Sequence, residues 1–283
     1  MKRLKALSEA PVIGGVVKKA MATMASGEAT TISRHFSAFL RPEIAKTAEL
    51  KHEVYKLRHQ VYCEELNFED IKENHEEQDE FDHRATHCFI RHLSSGRLAG
   101  TVRLIFTEQE GDLLPIEKYC GHAIEHAELT PDHFPRNSIC EISRLAVPAE
   151  FRRRTVDNFK GAATGAINAK TYSEQELRCF PFIAICLYLA AASMSLKTER
   201  VNVFVMMEPR LARSLSFVGI HFQQIGSAIE FHGKRAPYYI DARSLNKTMS
   251  PGYKKLLESV QADLFGFKRQ RDSGMGTTPA FSI

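Results

Sequence analysis

The sequence predicts a mixed α/β fold in which a central sheet is covered by helices within one large unit. Three observations carry this. The order of patterns along the chain is helix, hairpin, strand, helix, strand, helix, strands. Val201–Met206 is a continuous apolar run of the kind found in a central strand buried on both faces. Phe182–Leu196 is rich in Ala, Leu and Met and free of charge, as a buried helix should be.

The elements follow in turn. Residues 1–43 are expected to form an N-terminal extension. Its apolar stretch Val12–Val17 is short, centred on Gly14 and Gly15, and closed by Lys18 and Lys19, which is not how a secretory signal ends. A frayed extension is expected, with an amphipathic segment resting on protein or lipid as the alternative. Val54, Leu57, Val61, Tyr62 and Leu66 then recur at helical spacing. An acidic, turn-prone stretch, Glu69 to Asp82, precedes two strand-like runs, His87–Leu93 and Ala99–Phe106, split by Ser94-Ser95-Gly96 as in a hairpin. Residues 107–137 read as loop with one helical turn. Ile139–Val147 is the next strand and Pro148 closes it. Residues 155–180 are polar and irregular and are expected to be a mobile insertion. Glu208-Pro209 opens a short helix ending before Gly219, and strands near Phe222–Ile225 and Tyr238–Asp241 complete a domain spanning 44–245. Residues 246–283 are expected to hold a C-terminal helix and a disordered tail, from about 266.

Composition narrows the function. At 283 residues, 43% hydrophobic and 25% charged, the chain is long enough for a sizeable core, and its formal charge of +4 does not mark a dedicated nucleic-acid binder. The six cysteines, Cys63, Cys88, Cys120, Cys140, Cys179 and Cys186, include no CxxC pair and no histidine spacing suited to zinc. Free thiols in a reducing cytoplasm are expected, with no metal and no bound cofactor. No run of eighteen apolar residues exists, so no membrane span is expected; peripheral contact through the N-terminus is the one membrane association left open.

The chemistry is expected from charges placed inside apolar elements. Arg58 lies beside the apolar stripe of the first helix. Asp79, Glu80 and Asp82 crowd into four positions. Arg103 interrupts one strand, and Glu141 and Arg144 interrupt another. Buried charges require partners, so these residues should meet on one sheet. Glu141 and Arg144 are three apart, and a regular strand would send them to opposite faces. A β-bulge between them would bring both to one site.

These residues fall into motifs that resemble a known family. Arg58-x-x-x-Tyr62, Phe68, the run Glu77-Gln78-Asp79-Glu80-Phe81-Asp82, Gly100-Thr-Val-Arg103-Leu and Glu141-Ile-Ser-Arg144-Leu145 are similar to the acyl-homoserine-lactone synthases. The likeness is closer to the N-acyl amino acid synthases, including those associated with PEP-CTERM/exosortase systems, through Met207-Glu-Pro-Arg-Leu-Ala-Arg213 and His232-Gly-x-Arg235-Ala-Pro-Tyr238. It covers about residues 50–245.

The resemblance implies a GNAT-type fold with a mostly antiparallel sheet. It also implies a long-chain acyl transfer from acyl carrier protein to the amino group of an amino acid or similar small amine. Glu141 would manage the amine proton, directly or through water, and backbone N–H groups freed at a bulge near Ser143–Ala146, which includes Arg144 and Leu145, would receive the oxyanion. Arg58, Arg103 or Arg144 would grip an acceptor carboxylate, the cluster Asp79, Glu80 and Asp82 would attract its ammonium, and Tyr62 and Phe68 would also bind substrate. The acyl tail would run into the apolar space around Val203, Val205 and the Phe182–Leu196 helix. Cys140, without a suitably placed histidine, is not expected to be a nucleophile.

Two departures refine the expectation. Lactone synthases generally carry Trp where this chain has Phe68, which weighs against S-adenosylmethionine as acceptor. The turn Phe151-Arg152-Arg153-Arg154-Thr155 lacks the glycine of a pyrophosphate cradle, and its basic side chains suit an acidic carrier protein better than coenzyme A. A lactone-forming autoinducer synthase and a catalytically inactive GNAT-like binding module are the alternatives.

Overall fold

The computed structural model describes residues 36–152, 176, 179 and 182–266. The stretch Val12–Val17, Arg153 and Arg154, nearly all of the expected 155–180 insertion, and the tail beyond 266 lie outside the described residues.

The chain enters the sheet earlier than its sequence suggests. β1 (Leu40–Ile44) pairs antiparallel with β2 (Ala85–His92). Pro42 disguises it, yet Pro is tolerated on an edge strand, where β1 lies. Thr47 then caps α1 (Ala48–His59), accepting a hydrogen bond from the Leu50 N–H at 3.3 Å. α1 runs directly into a π-helical turn, Gln60–Glu65, of the kind often found at functional sites.

β2 forms the expected hairpin with β3 (Leu98–Phe106). After α2 (Pro115–Cys120), β3 pairs antiparallel with β4 (Ile139–Ala146). The buried helix α3 (Ile183–Lys197) leads into β5 (Asn202–Met207), which runs parallel to β4. α4 (Pro209–Ser216), the short strands β6 (Gln223–Gln224) and β7 (Ile229–Glu230), and β8 (Lys234–Asp241) follow. The strand order is β1-β2-β3-β4-β5-β8-β6, with β7 paired to β8. β4–β5 is the single parallel pair among the described strands, so the sheet is mostly antiparallel, as expected.

Strand alternation divides the interior in two. On one face Cys88, Val102, Leu104, Ile142, Val203 and Val205 pack with α3 into the main core. α3 approaches so closely at Gly100 that a Cβ there would sit 3.0 Å from the Leu187 side chain. After a short helix α5 (Leu245–Thr248), α6 (Pro251–Phe265) adds Leu256, Leu257, Val260 and Leu264 to the same core. That core therefore runs past both ends of the 44–245 span, taking in β1 and α6. On the opposite face, two smaller clusters, one around α1 and one around α2, leave a gap between them.

Candidate active site

The gap is a cavity of about 310 Å³, walled by residues of the π-turn, the acidic loop, β3, α2, β4 and β8. Its floor is β4. Glu141 and Ser143 point into it by simple alternation. Arg144 does so because β4 bulges: Thr101 pairs with Ala146 and Arg103 with Ser143, so Val102 alone faces Arg144 and Leu145. The irregularity expected between Glu141 and Arg144 thus falls one step later, at Arg144–Leu145, with regular pairing from Glu141 through Ser143. Arg144 adopts φ +48°, and His232, across the cavity, adopts φ +49°. Non-glycine residues held in this region concentrate where a site demands a particular geometry. Pairing of β4 with β5 ends at Ile142, so the bulged segment lies beyond their shared ladder.

Glu141 is buried, and its Oε2 accepts a hydrogen bond from the Ile116 N–H at 2.7 Å, at the start of α2. Burial pushes its carboxyl up to about 8, outweighing that hydrogen bond and the nearby Arg103. A carboxyl with such a value takes up and releases protons near neutrality.

Arg58 does not reach the cavity. It is fully buried, donating to Glu77 at 2.5 Å and through both terminal nitrogens to Asp82 at 2.7 and 3.2 Å. Asp82 is buried likewise and is held well below the usual carboxylate range by Arg58 and Arg103, despite the opposing effect of its own burial. The expectation that Arg58 and Asp82 bind substrate is therefore corrected: each spends its hydrogen bonds inside the protein, underneath the site. Beside them His87 is fully buried, 3.5 Å from Asp82, and desolvation lowers it to about 3, so it is neutral.

Arg103 and Asp79 do line the cavity, but they bind each other at 2.6 Å; Arg103 also donates to Asp82 at 3.0 Å and to the Ser143 hydroxyl at 3.1 Å. Arg144 contacts Glu77 at 3.1 Å and both Glu69 and Asp79 at 3.2 Å. No guanidinium of the expected trio is free to grip a carboxylate. Glu80 turns outward to Lys118 and Tyr119.

Tyr62 and Phe68 line the cavity wall. The Tyr62 hydroxyl donates to the Leu145 carbonyl at 2.8 Å, tying the π-turn to the bulge. Leu145 enters the site through its backbone while its side chain packs against the main core. Val203 and Val205 require correction. They project into the main core, and their neighbour Met206 faces the cavity instead. Cys140 is also on the core face, with its thiol donating to the Arg200 carbonyl at 3.4 Å and pushed up to about 12 by burial, so nucleophilic attack from it is excluded. Arg152 is a further correction: it is half-buried and paired with Glu65, which also accepts from the Ala149 N–H, so it fastens the β4 exit to the π-turn and is not free for docking.

Among the wall residues that escaped the sequence reading of the site are Glu69, Phe231, His232 and Arg235. His232 and Arg235 stood in a recognised motif, but nothing in that motif tells that a hairpin, β7–β8, folds it over the cavity. Glu69 looked like one acid among many in a turn.

A three-residue group away from the cavity, His59, Glu64 and His75, has the composition of a metal site. The Nε2 of His59 accepts the Lys72 N–H at 3.1 Å, which places its proton on Nδ1, 3.1 Å from Glu64. A nitrogen carrying a proton does not ligate metal.

Sheet and site together define a GNAT-type fold, and residues 57–160 match the family described as "Acetyltransferase (GNAT) domain". Among solved structures, the chain resembles TofI, determined in a ternary complex with an inhibitor and MTA (TM-score 0.52, 16% identity, 75% of this chain and 98% of TofI). It also resembles FeeM, an N-acyl amino acid synthase from uncultured soil microbes (0.50, 15%, 76% and 97%). A third is BjaI, a CoA-dependent acyl-homoserine lactone synthase solved with MTA (0.51, 16%, 77% and 89%). At such identities the likeness is one of fold. No curated protein matches. No helix among the described residues is long and apolar enough to cross a membrane.

Proposed function

We propose that this chain is an N-acyltransferase that moves a long-chain fatty acyl group from acyl carrier protein to the amino group of an amino acid or similar small amine. The observation that carries the reading is Glu141: a buried carboxyl lifted to about 8, on the floor of a cavity and three residues before a bulge.

The chemistry follows from that placement. An acceptor arrives as an ammonium and yields a proton to Glu141, directly or through water. The freed lone pair attacks the thioester carbonyl, forming the C–N bond. Negative charge on the oxygen is received by backbone N–H groups of the bulged Arg144–Leu145 segment, the role their place in the family motif implies. Collapse breaks the C–S bond; the attacking nitrogen gives up its second proton to the departing thiolate and Glu141 returns the first to solvent, leaving an amide and a free phosphopantetheine thiol. The cavity volume lies at the low end for small-molecule sites, suited to a compact acceptor. The further likeness to PEP-CTERM/exosortase-associated synthases rests on the sequence motifs.

The choice of carrier protein as donor rests on the glycine-free turn Phe151–Thr155. With Arg152 committed to Glu65, the docking role proposed for this basic run passes to Arg153 and Arg154. The purified chain should use an acyl-carrier-protein thioester at least tenfold better, in kcat/KM, than the same acyl-coenzyme A. Reversing both charges (R153E with R154E) should slow the carrier reaction several-fold, the effect shrinking as salt is raised. Equal use of acyl-coenzyme A, or carrier kinetics untouched by the reversal, would contradict this.

A further inference from the structure

We propose that Arg235 reads the carboxylate of the acceptor, so that the substrate class is α-amino acids in preference to amines lacking an acid group. This rests on the acyl-transfer reading above and adds to it the residue that sets acceptor specificity.

The inference comes from where charge in the cavity is spent and where it is left over. Beneath and beside the floor, three guanidiniums, Arg58, Arg103 and Arg144, face four carboxylates, Glu69, Glu77, Asp79 and Asp82. One negative charge is in excess, and the carboxylates that reach the cavity wall are Glu69 and Asp79. Arg235 stands apart from this network. It lines the cavity, its Nε is buried without a hydrogen-bond partner, and it forms no ion pair among the described residues. Its guanidinium carbon lies 5.8 Å from the centre of the Phe68 ring, and His232, 5.6 Å from that ring, approaches Glu69 at 3.9 Å. The unmatched cation and the surplus anion thus border one aromatic ring. A zwitterion supplies both missing partners at once: its carboxylate to the planar fork of Arg235, its ammonium to the Glu69–Asp79 side of the cavity that Glu141 also lines. A simple amine would leave the buried Nε of Arg235 unsatisfied, which is the arrangement by which a site rejects the analogue that lacks a group.

The test uses purified full-length chain, acyl carrier protein charged with a long-chain acyl group, and the twenty proteinogenic amino acids; the best of them is then compared with its carboxamide. The wild type should prefer the acid to the amide by ten- to a hundredfold in kcat/KM, the range expected for a charged hydrogen bond. R235Q should raise KM for the acid by a similar factor, change KM for the amide little, and so erase the preference. R235K, which keeps the charge but loses the fork, should recover part of it. A purely structural arginine would depress both acceptors alike. If R235Q retains the acid-over-amide preference, Arg235 is not the reader, and the acyl-transfer reading stands. If the wild type favours amines without a carboxylate, the proposed acceptor class is wrong. If the wild type acylates no amine at all, the underlying reading falls and this inference with it.

Discussion

Replacing Asp82 with Asn is expected to cost about 3–5 kcal/mol of stability, because it strands two buried arginines at once. Asp82 receives both terminal nitrogens of Arg58, one of Arg103, and the Asp79 backbone N–H at 2.8 Å. An asparagine keeps the shape, removes the charge, and turns an amide toward a guanidinium. At this chain length the melting temperature should fall by on the order of 10 °C. The pH dependence has a definite sign. The Asp82 carboxyl is held below its ordinary value in the fold, so its contribution is complete above the unfolded carboxylate range and is lost only as pH falls through the depressed value. The gap between wild type and D82N should stay constant from pH 5 to 8 and close only in strong acid. Thermal melts or denaturant unfolding across that range check this, and a loss under 1 kcal/mol would show that the network does not support the fold.

Glu141→Gln should move stability and activity in opposite directions. Gln retains an oxygen to accept the Ile116 N–H but cannot take the acceptor's proton. Acyl transfer should fall by a factor of about 100 to 10,000, and the limb of the pH–rate profile near 8 should vanish, leaving only the ionisation of the acceptor amine. The carboxyl is raised from 4.5 to about 8, so burying it costs nothing while it is protonated in both folded and unfolded chains. The cost grows as the unfolded chain ionises above pH 4.5 and levels off above about 8, reaching at most roughly 5 kcal/mol. E141Q should therefore match the wild type near pH 4 and be the more stable protein at pH 8–9. A variant destabilised at pH 8, or one that retains full activity, would remove Glu141 from its assigned role.

Much of this arrangement was legible in the sequence, and the reasons differ by residue. The strands around Arg103 and Glu141 could be read because a charge inside an apolar run is rare and needs a partner. The bulge could be read because a spacing of three conflicts with the two-residue period of a strand. Which charges pair and which stay free could not be read. Arg58, Arg103, Arg144 and Arg235 are equivalent as letters, and only the folded acidic loop decides that the first three are paired while the Nε of the fourth finds no hydrogen-bond partner among the described residues. Val203 and Val205 were read as lining the acyl tail because a strand buried on both sides shows no alternation to tell its core face from its cavity face, where Met206 lies. β1 was missed because Pro42 reads as a breaker unless the strand is known to be at the edge.

The central claim is most directly tested by mass spectrometry of the products formed when the purified chain is given a long-chain acyl-carrier-protein thioester and a mixture of free amino acids, without S-adenosylmethionine. A long-chain N-acyl amino acid, released together with free carrier thiol and absent from the E141Q reaction, is the expected result. An acyl-homoserine lactone that forms only when S-adenosylmethionine is added, or no transfer to any amine, would contradict it.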